Sequence, residues 1–146
     1  MKITGARIFD ATAQTIWDVL MNPEALARIT PGLTRLEETG PDTFRAIADV
    51  KIGPVSGSFT GKVDLLEKDA PRRFVMHVEQ NSKIGNVAAD VVILLGAMPD
   101  GRTELRFDGN AQLSGLLART GQRVLTGVAN TLTEQFFKGL TEALKA

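Results

Sequence analysis

The periodicity of the apolar residues changes from 2 to about 3.6 at Ser114, and that change constrains the fold more than any other feature. Residues 103–113 alternate between mostly apolar and polar side chains, which is typical of a strand with one face in water. After Ser114 the apolar residues recur every three or four positions, which predicts a long amphipathic helix over 115–145. Its apolar stripe contains Leu117, Gly121, Val124, Leu125, Val128, Leu132, Phe136 and Leu140.

Five turn signals upstream of that point separate six segments with strand character. The turns contain Gly, Pro, Asn or Asp, and they lie at 39–42, 53–57, 69–71, 81–86 and 99–101. Because consecutive alternating segments joined by short turns pair with their neighbours, we expect an antiparallel meander with one inner face. The 53–57 turn lacks the Gly-Lys-Ser/Thr ending of a phosphate loop, so it is interpreted as a turn or bulge.

The N-terminal part of the chain predicts one further strand and two short helices. Residues 3–9 alternate weakly and end at Asp10. Thr12 is a suitable N-cap for a first helix, and Asn22-Pro23 starts a second helix that fills 23–29. The fold class is therefore α+β, with a seven-stranded curved antiparallel sheet around a long C-terminal helix. A chain of 146 residues fits one domain, residues 1–146.

Charge and composition exclude several classes of function. Lys and Arg together number 17, as do Asp and Glu, so no broad cationic field is available to hold a nucleic acid. The absence of cysteine excludes disulfides, thiolate nucleophiles and Cys-ligated metals. The apolar run 91–98 is shorter than the roughly 20 residues of a membrane-spanning helix, and the N-terminus lacks a signal-peptide pattern. We therefore expect a cytoplasmic protein.

Two residues are candidates for acid–base chemistry. His77, the only histidine, alternates with Phe74, Met76 and Val78 and is therefore predicted to lie on the solvated face. Asp90 interrupts a segment that is apolar on both faces, so periodicity leaves its direction open. An inward Asp90 would have a raised pKa and could act as a general acid. We expect an outward Asp90, no catalytic residue and no metal site.

Three residues near the predicted interior have alternative interpretations. Trp17 is expected to pack the first short helix. Gly121 falls on the apolar stripe, where its missing side chain would leave volume between helix and sheet. Phe137 falls off that stripe, so it either covers a neighbouring element or lies in an exposed patch that docks a partner.

Five short motifs in this order resemble the CoxG family of carbon monoxide dehydrogenase, within the START-like (SRPBCC) helix-grip superfamily. They are residues 16–20 (IWDVL), 22–26 (NPEAL), 29–32 (ITPG), 50–59 (VKIGPVSGSF) and 136–137 (FF). The resemblance covers nearly the whole chain. It implies an accessory protein encoded beside a molybdenum hydroxylase such as carbon monoxide dehydrogenase, with peripheral contact at the inner face of the membrane. Longer members continue beyond the helix into a linker and a membrane-associating tail, whereas this sequence ends at Ala146.

The resemblance also implies an apolar cavity between the sheet and the long helix. We expect it to bind a quinone or lipid non-covalently, without a covalent cofactor. The residues predicted to line it are Leu26, Pro31, Phe59, Val63, Phe74, Met76, Leu105, Phe107, Leu117, Gly121, Val124 and Val128. One alternative is a small enzyme similar to polyketide cyclases and aromatases, which would use a cavity acid. The other is a ligand-free interaction module that contacts a partner through Phe137 and the 53–57 loop.

Overall fold

The computed structural model describes residues 1–145 and contains seven strands and four helices. The strands are β1 (Lys2–Phe9), β2 (Leu33–Gly40), β3 (Thr43–Ile52), β4 (Val55–Asp69), β5 (Arg73–Ser82), β6 (Gly85–Ala97) and β7 (Thr103–Leu113). The helices are α1 (Ala13–Leu20), α2 (Pro23–Ile29), α3 (Leu116–Arg119) and α4 (Gln122–Leu144). None of these helices is long and apolar enough to cross a membrane.

All strands form one antiparallel sheet in the order β1-β7-β6-β5-β4-β3-β2, which confirms the predicted meander. Side chains alternate between two faces. Met76 on β5 pairs with Leu65 on β4 and with Val91 on β6, and all three point to the inner face. The adjacent cross-strand pairs, such as His77 with Asp90, point to the outer face. The sheet therefore has an apolar face for the helices and a mostly polar one for water.

Local capping explains where the first two helices begin. The Thr12 hydroxyl accepts a hydrogen bond from the Thr15 amide at 3.2 Å. The Asn22 side chain accepts from the amide of Glu24 at 3.0 Å, and Pro23 occupies the first turn of α2. Each side chain thus satisfies amide groups that have no partner within the helix. Both predicted helices are confirmed.

The buried core consists of two main clusters at opposite ends of α4. The large cluster holds twelve buried residues from α1, α2, the sheet and the C-terminal half of α4, including Trp17, Phe137 and Leu140. The small cluster holds only Val55, Phe59, Leu117, Leu125 and Val128. We call the molecular end with α1 and the turns at 41–42, 70–72 and 98–102 the α1 end. The α3 end contains α3, the first turn of α4 and the turns at 53–54 and 83–84.

The C-terminal helix is broken, which corrects the prediction of one helix over 115–145. Gly121 adopts a φ of +98° and precedes α4 as its N-cap residue, so it is not part of the helical stripe. Only glycine adopts such a backbone conformation readily. The Leu117 amide donates to the Ile84 carbonyl at 2.9 Å, which anchors α3 to the β5–β6 turn. The chain must therefore change direction at Gly121 before α4 can cross the sheet.

Of the two positions predicted for Phe137, in contact with a neighbouring element or in an exposed docking patch, the structure shows the first. The Phe137 side chain is 4% exposed and packs edge-on against Phe9, with ring centroids 5.6 Å apart. The Arg7 guanidinium lies 5.1 Å from the centroid of the same ring. Phe137 therefore covers β1, and a docking patch centred on it is excluded. Val124, predicted on the buried stripe, is instead 40% exposed.

Candidate functional site

The candidate site is the space between α4 and the middle of the inner face of the sheet. The two main clusters close this space at its two ends, but seven of the apolar side chains between them are only half-buried. These residues are Val63, Met76, Val78, Ile93, Phe107, Leu132 and Phe136. Central side chains of a filled two-layer core would be sealed from water. Solvent therefore reaches these half-buried side chains, although Ala89, Val91 and Ala111 beneath them are buried.

Small side chains form the floor of this space. Ala89, Gly109 and Ala111 lie side by side on β6 and β7, and the two alanines form a third buried cluster together with Val91. The Phe107 ring packs against this cluster and also lies over Gly5, where a Cβ would be 2.7 Å from it. A Cβ at Gly109 would lie 3.0 Å from the Val91 side chain, so the reduced side-chain volume of this floor comes from the two alanines.

Most of the predicted lining residues lie around this interior, although several are core residues. Phe74 and Leu105 are buried in the large cluster, and Phe59, Leu117 and Val128 form most of the small one. The half-buried residues that pack against the large cluster are Leu26, Val63, Met76 and Phe107. Pro31 is half-buried in the loop after α2. Gly121 and Val124 are exposed at the start of α4, so we withdraw them from the lining.

Gln80 is a polar side chain of the inner face that the sequence analysis missed. It follows Phe74, Met76 and Val78 on β5, so the alternation already indicated its direction. Ser82 and Thr103, the other polar inner-face side chains of β3 to β7, donate to backbone carbonyls at 2.6 and 2.7 Å. Gln80 donates only to the adjacent Glu79 carbonyl, at 3.2 Å, and within residues 1–145 its amide oxygen accepts no hydrogen bond. It can therefore bind a polar group of a guest.

His77 and Asp90 both lie on the outer face, as expected. The Nδ1 atom of His77 lies 2.6 Å from the Asp90 carboxylate and its Nε2 atom 3.1 Å from Glu79. These hydrogen bonds, first from Asp90 and then from Glu79, raise the pKa of His77 against a smaller effect of burial. The pKa of Glu79 is lowered in turn by His77 and Lys62. The network joins three strands and does not reach the interior.

Other surfaces of the described chain show no comparable chemistry. Residues 1–145 contain no group of three or more His, Asp or Glu side chains placed to hold a metal ion. A depression of about 410 Å³ lies on the outer face around Leu94 and Arg106, and a similar one lies between Arg7 and α4. Both are lined mainly by charged side chains, most of which are ion-paired. The second lies where α4 meets the edge strand β1, and neither is lined by the half-buried apolar residues at the centre of the inner face.

Comparison with known families identifies one match. Residues 5–145 match CoxG, a family described as a subunit of carbon monoxide dehydrogenase. No curated protein matches the chain. The family match covers every strand and helix described above apart from the first residues of β1.

Solved structures share the fold. A conserved protein from Geobacillus kaustophilus superposes with a TM-score of 0.96 at 28% identity, over 99% of this chain and 95% of that one. A START superfamily protein from Mycobacterium smegmatis gives 0.79 at 13% identity, with 99% and 97% covered. The Zhui aromatase/cyclase from Streptomyces sp. R1128 gives 0.72 at 16% identity, with 99% and 91% covered. At such low identities the last two show the START-like fold alone.

Proposed function

Because the chain belongs to the CoxG family of carbon monoxide dehydrogenase, we propose that it is a non-enzymatic accessory protein that carries an apolar small molecule. The guest occupies the space between α4 and the small-residue floor of the sheet. The observation that carries this proposal is the half-buried state of apolar side chains such as Met76, Val78 and Phe107 at the centre of the molecule. A protein without a guest has no stabilising reason to leave them in contact with water.

The preferred guest is an isoprenoid quinone or a lipid. At about 25 cal/mol per Å² of apolar area, each buried prenyl unit would contribute roughly 2 kcal/mol without a specific hydrogen bond. The amide group of Gln80 would supply one hydrogen bond, which suits a quinone carbonyl or a lipid ester. We further propose that the partner is a molybdenum hydroxylase such as carbon monoxide dehydrogenase, and that the protein acts in the cytoplasm with peripheral contact at the membrane.

The two alternatives have less support. The cyclase-like alternative depended on an inward acid, but Asp90 is exposed on the outer face and hydrogen-bonded to His77. The likeness to the Streptomyces aromatase/cyclase extends to the fold and not to a catalytic residue. The ligand-free interaction module was expected to contact a partner through Phe137 and the 53–57 loop, and Phe137 is buried.

Native mass spectrometry of the purified protein tests the carrier proposal directly. We expect a bound species of a few hundred daltons that denaturing solvent releases and that is identified as a quinone or lipid. Added quinone should also quench Trp17, which lies within the large cluster with its ring centroid 5.5 Å from that of Phe74. A protein that carries no guest and shows no fluorescence response to quinone would contradict the proposal.

A pair of matched substitutions separates a guest site from general hydrophobic binding. Val78→Phe adds a ring to the half-buried centre of the inner face, and Val92→Phe adds the same ring to the half-buried outer face of the next strand. We expect Val78→Phe to reduce guest occupancy more than about tenfold, because the ring fills the space. Val92→Phe should leave occupancy unchanged. Equal occupancy in both variants, with both folded, would exclude the proposed space as the binding site.

A further inference from the structure

The α3 end of the molecule is free of acidic residues. Residues 50–63, 80–89 and 109–133 contain no Asp or Glu. These three segments meet at this end, since the Leu117 amide donates to Ile84 and Ile84 lies over Gly57, where a Cβ would be 3.4 Å from it. The acids of this nearly neutral chain are therefore confined to the rest of its surface.

The cations of the α3 end are exposed and have no acidic partner. Lys51, Lys83, Arg119 and Arg123 all project into water. None of them forms an ion pair with any residue in the described range 1–145. Helix α4 begins here too, with no acid in its first turn and no side-chain cap, so the positive end of its dipole adds to the same field. The result is a local positive potential on a chain with no net charge.

Two large apolar side chains protrude among these cations. Leu116 on α3 is 56% exposed, and Val124 in the first turn of α4 is 40% exposed. Leu117, next to Leu116, is 3% exposed in the small cluster and fixes α3 so that Leu116 points outward. Apolar residues that project from a fixed short helix and are surrounded by Lys and Arg are typical of surfaces that lie in the headgroup region of a membrane.

The other exposed large apolar residues lack this charge environment. Ile8, Leu66 and Leu94 lie on the outer face, and each is about two-fifths exposed. The nearby Arg73 and Arg106 are paired with Glu67 and Glu104. Exposed leucines there are accompanied by both signs of charge, so that surface has no preference for an anionic partner.

We propose that the α3 end docks on an anionic lipid surface, with Leu116 and Val124 inserted between headgroups and the four cations in contact with lipid phosphates. The occupant is inferred from charge complementarity, because a bilayer with anionic lipids offers both the negative surface and the apolar interior that this end matches. The docking itself does not require a bound guest. It deepens the proposed carrier function, since it would hold the protein at the surface that an apolar molecule leaves.

Flotation with vesicles tests the proposal on the full chain, with vesicles made from synthetic phosphatidylcholine alone or with added phosphatidylglycerol and containing no quinone. We expect binding to the anionic vesicles only, and a loss of binding as salt is raised. Absence of binding to anionic vesicles at low salt would overturn the proposal and indicate an acidic protein surface as the occupant. Equal binding to both compositions would overturn it as well.

Variants locate the surface. Arg119→Glu combined with Arg123→Glu should weaken binding to anionic vesicles more than about tenfold. Leu116→Ser should weaken it roughly fivefold, because one inserted leucine is lost. The matched controls are Arg45→Glu with Lys138→Glu, which change the net charge equally, and Leu94→Ser, and both should leave binding unchanged. An equal loss in the controls would overturn the proposal. Guest binding measured in detergent should be unaffected by the charge variants. The experiment can therefore contradict the docking proposal without contradicting the carrier proposal, and the reverse.

Discussion

The two ends of the sheet use the same layers in different ways. At the α1 end, twelve buried residues form one cluster, and nearby charges such as Lys68 with Asp42 and Arg102 with Asp100 are paired at 2.7 Å. At the α3 end, five buried residues form the small cluster, the helix is interrupted at Gly121, and the cations have no partner among residues 1–145. Most of the packing that stabilises the fold therefore lies at the α1 end.

This difference is informative about where function can reside. A surface that is tightly packed and ion-paired has few free groups to offer a ligand or a partner. Residues whose groups are unpaired or half-buried retain interactions that a guest or a membrane can satisfy. Half-buried apolar side chains line the middle of the interior and cations that are unpaired within the described chain collect at the α3 end, whereas the cations Lys68 and Arg102 at the α1 end are paired.

The two ends are expected to differ most in how far the free energy of unfolding falls when a buried side chain is shortened. Leu140→Ala removes a fully buried side chain from the large cluster, and we expect it to lower the free energy of unfolding by about 4 kcal/mol. Leu125→Ala, in the small cluster, should lower it by about 2 kcal/mol, because a less packed site loses fewer contacts. Urea denaturation of both variants measures the difference. Equal losses would show that the two clusters are packed equally well.

Two glycines of α4 provide a second comparison, in which alanine substitutions are expected to change the stability of the protein in opposite directions. At Gly139 a Cβ would lie 2.9 Å from the Ile29 carbonyl oxygen, whereas at Gly127 it would meet nothing within 4 Å. Gly139→Ala should therefore destabilise the protein by about 1 kcal/mol or more, since α2 must move. Gly127→Ala should stabilise it by about 0.5 to 1 kcal/mol through helix propensity. Thermal unfolding of the two variants tests this, and the same sign for both would contradict the packing of α4 against α2.

The smallest effect is expected from His77, which lies on the outer face and belongs to neither end. The hydrogen bonds of His77 to Asp90 and Glu79 raise its folded pKa above the model-peptide value of 6.5. Protonated His77 therefore stabilises the folded state fully at pH values below 6.5. This stabilisation is lost as pH rises through the folded pKa. His77→Gln should thus cost about 1 kcal/mol or less at about pH 5.5, and less still at about pH 9. A larger loss of stability at the alkaline pH than at the acidic pH would contradict this prediction.

Local patterns predicted most of the fold because strands and short helices are specified by neighbouring residues. The alternation in 103–113 and the caps at Thr12 and Asn22 required no tertiary information. The outward direction of His77 was predicted in the same way. Asp90 could not be placed with certainty, because its strand is apolar on both faces and its register with His77 is fixed only by pairing in the sheet.

The position of Phe137 was left open and that of Gly121 was predicted wrongly, because a helical stripe assumes contact on one side only. Helix α4 contacts α1 and α2 as well as the sheet, and Phe137 packs on Phe9 of the edge strand β1, so it is buried although it lies off the stripe. Gly121 lies on the stripe in the sequence, but α3 is held on Ile84, so the chain must turn at Gly121. The positive φ of Gly121 makes that turn and separates α3 from α4.

The sequence by itself determined the order of strands and helices, the apolar inner face and the family, because periodicity, caps and short motifs depend on residues close together in the chain. The tertiary structure alone decided that the centre of the interior is half-buried and that Gln80 has hydrogen-bonding capacity to spare. It also decided that the cations of three distant segments meet at one end. Each of these properties depends on the distances between elements, which are set by how α3 and α4 pack on the sheet.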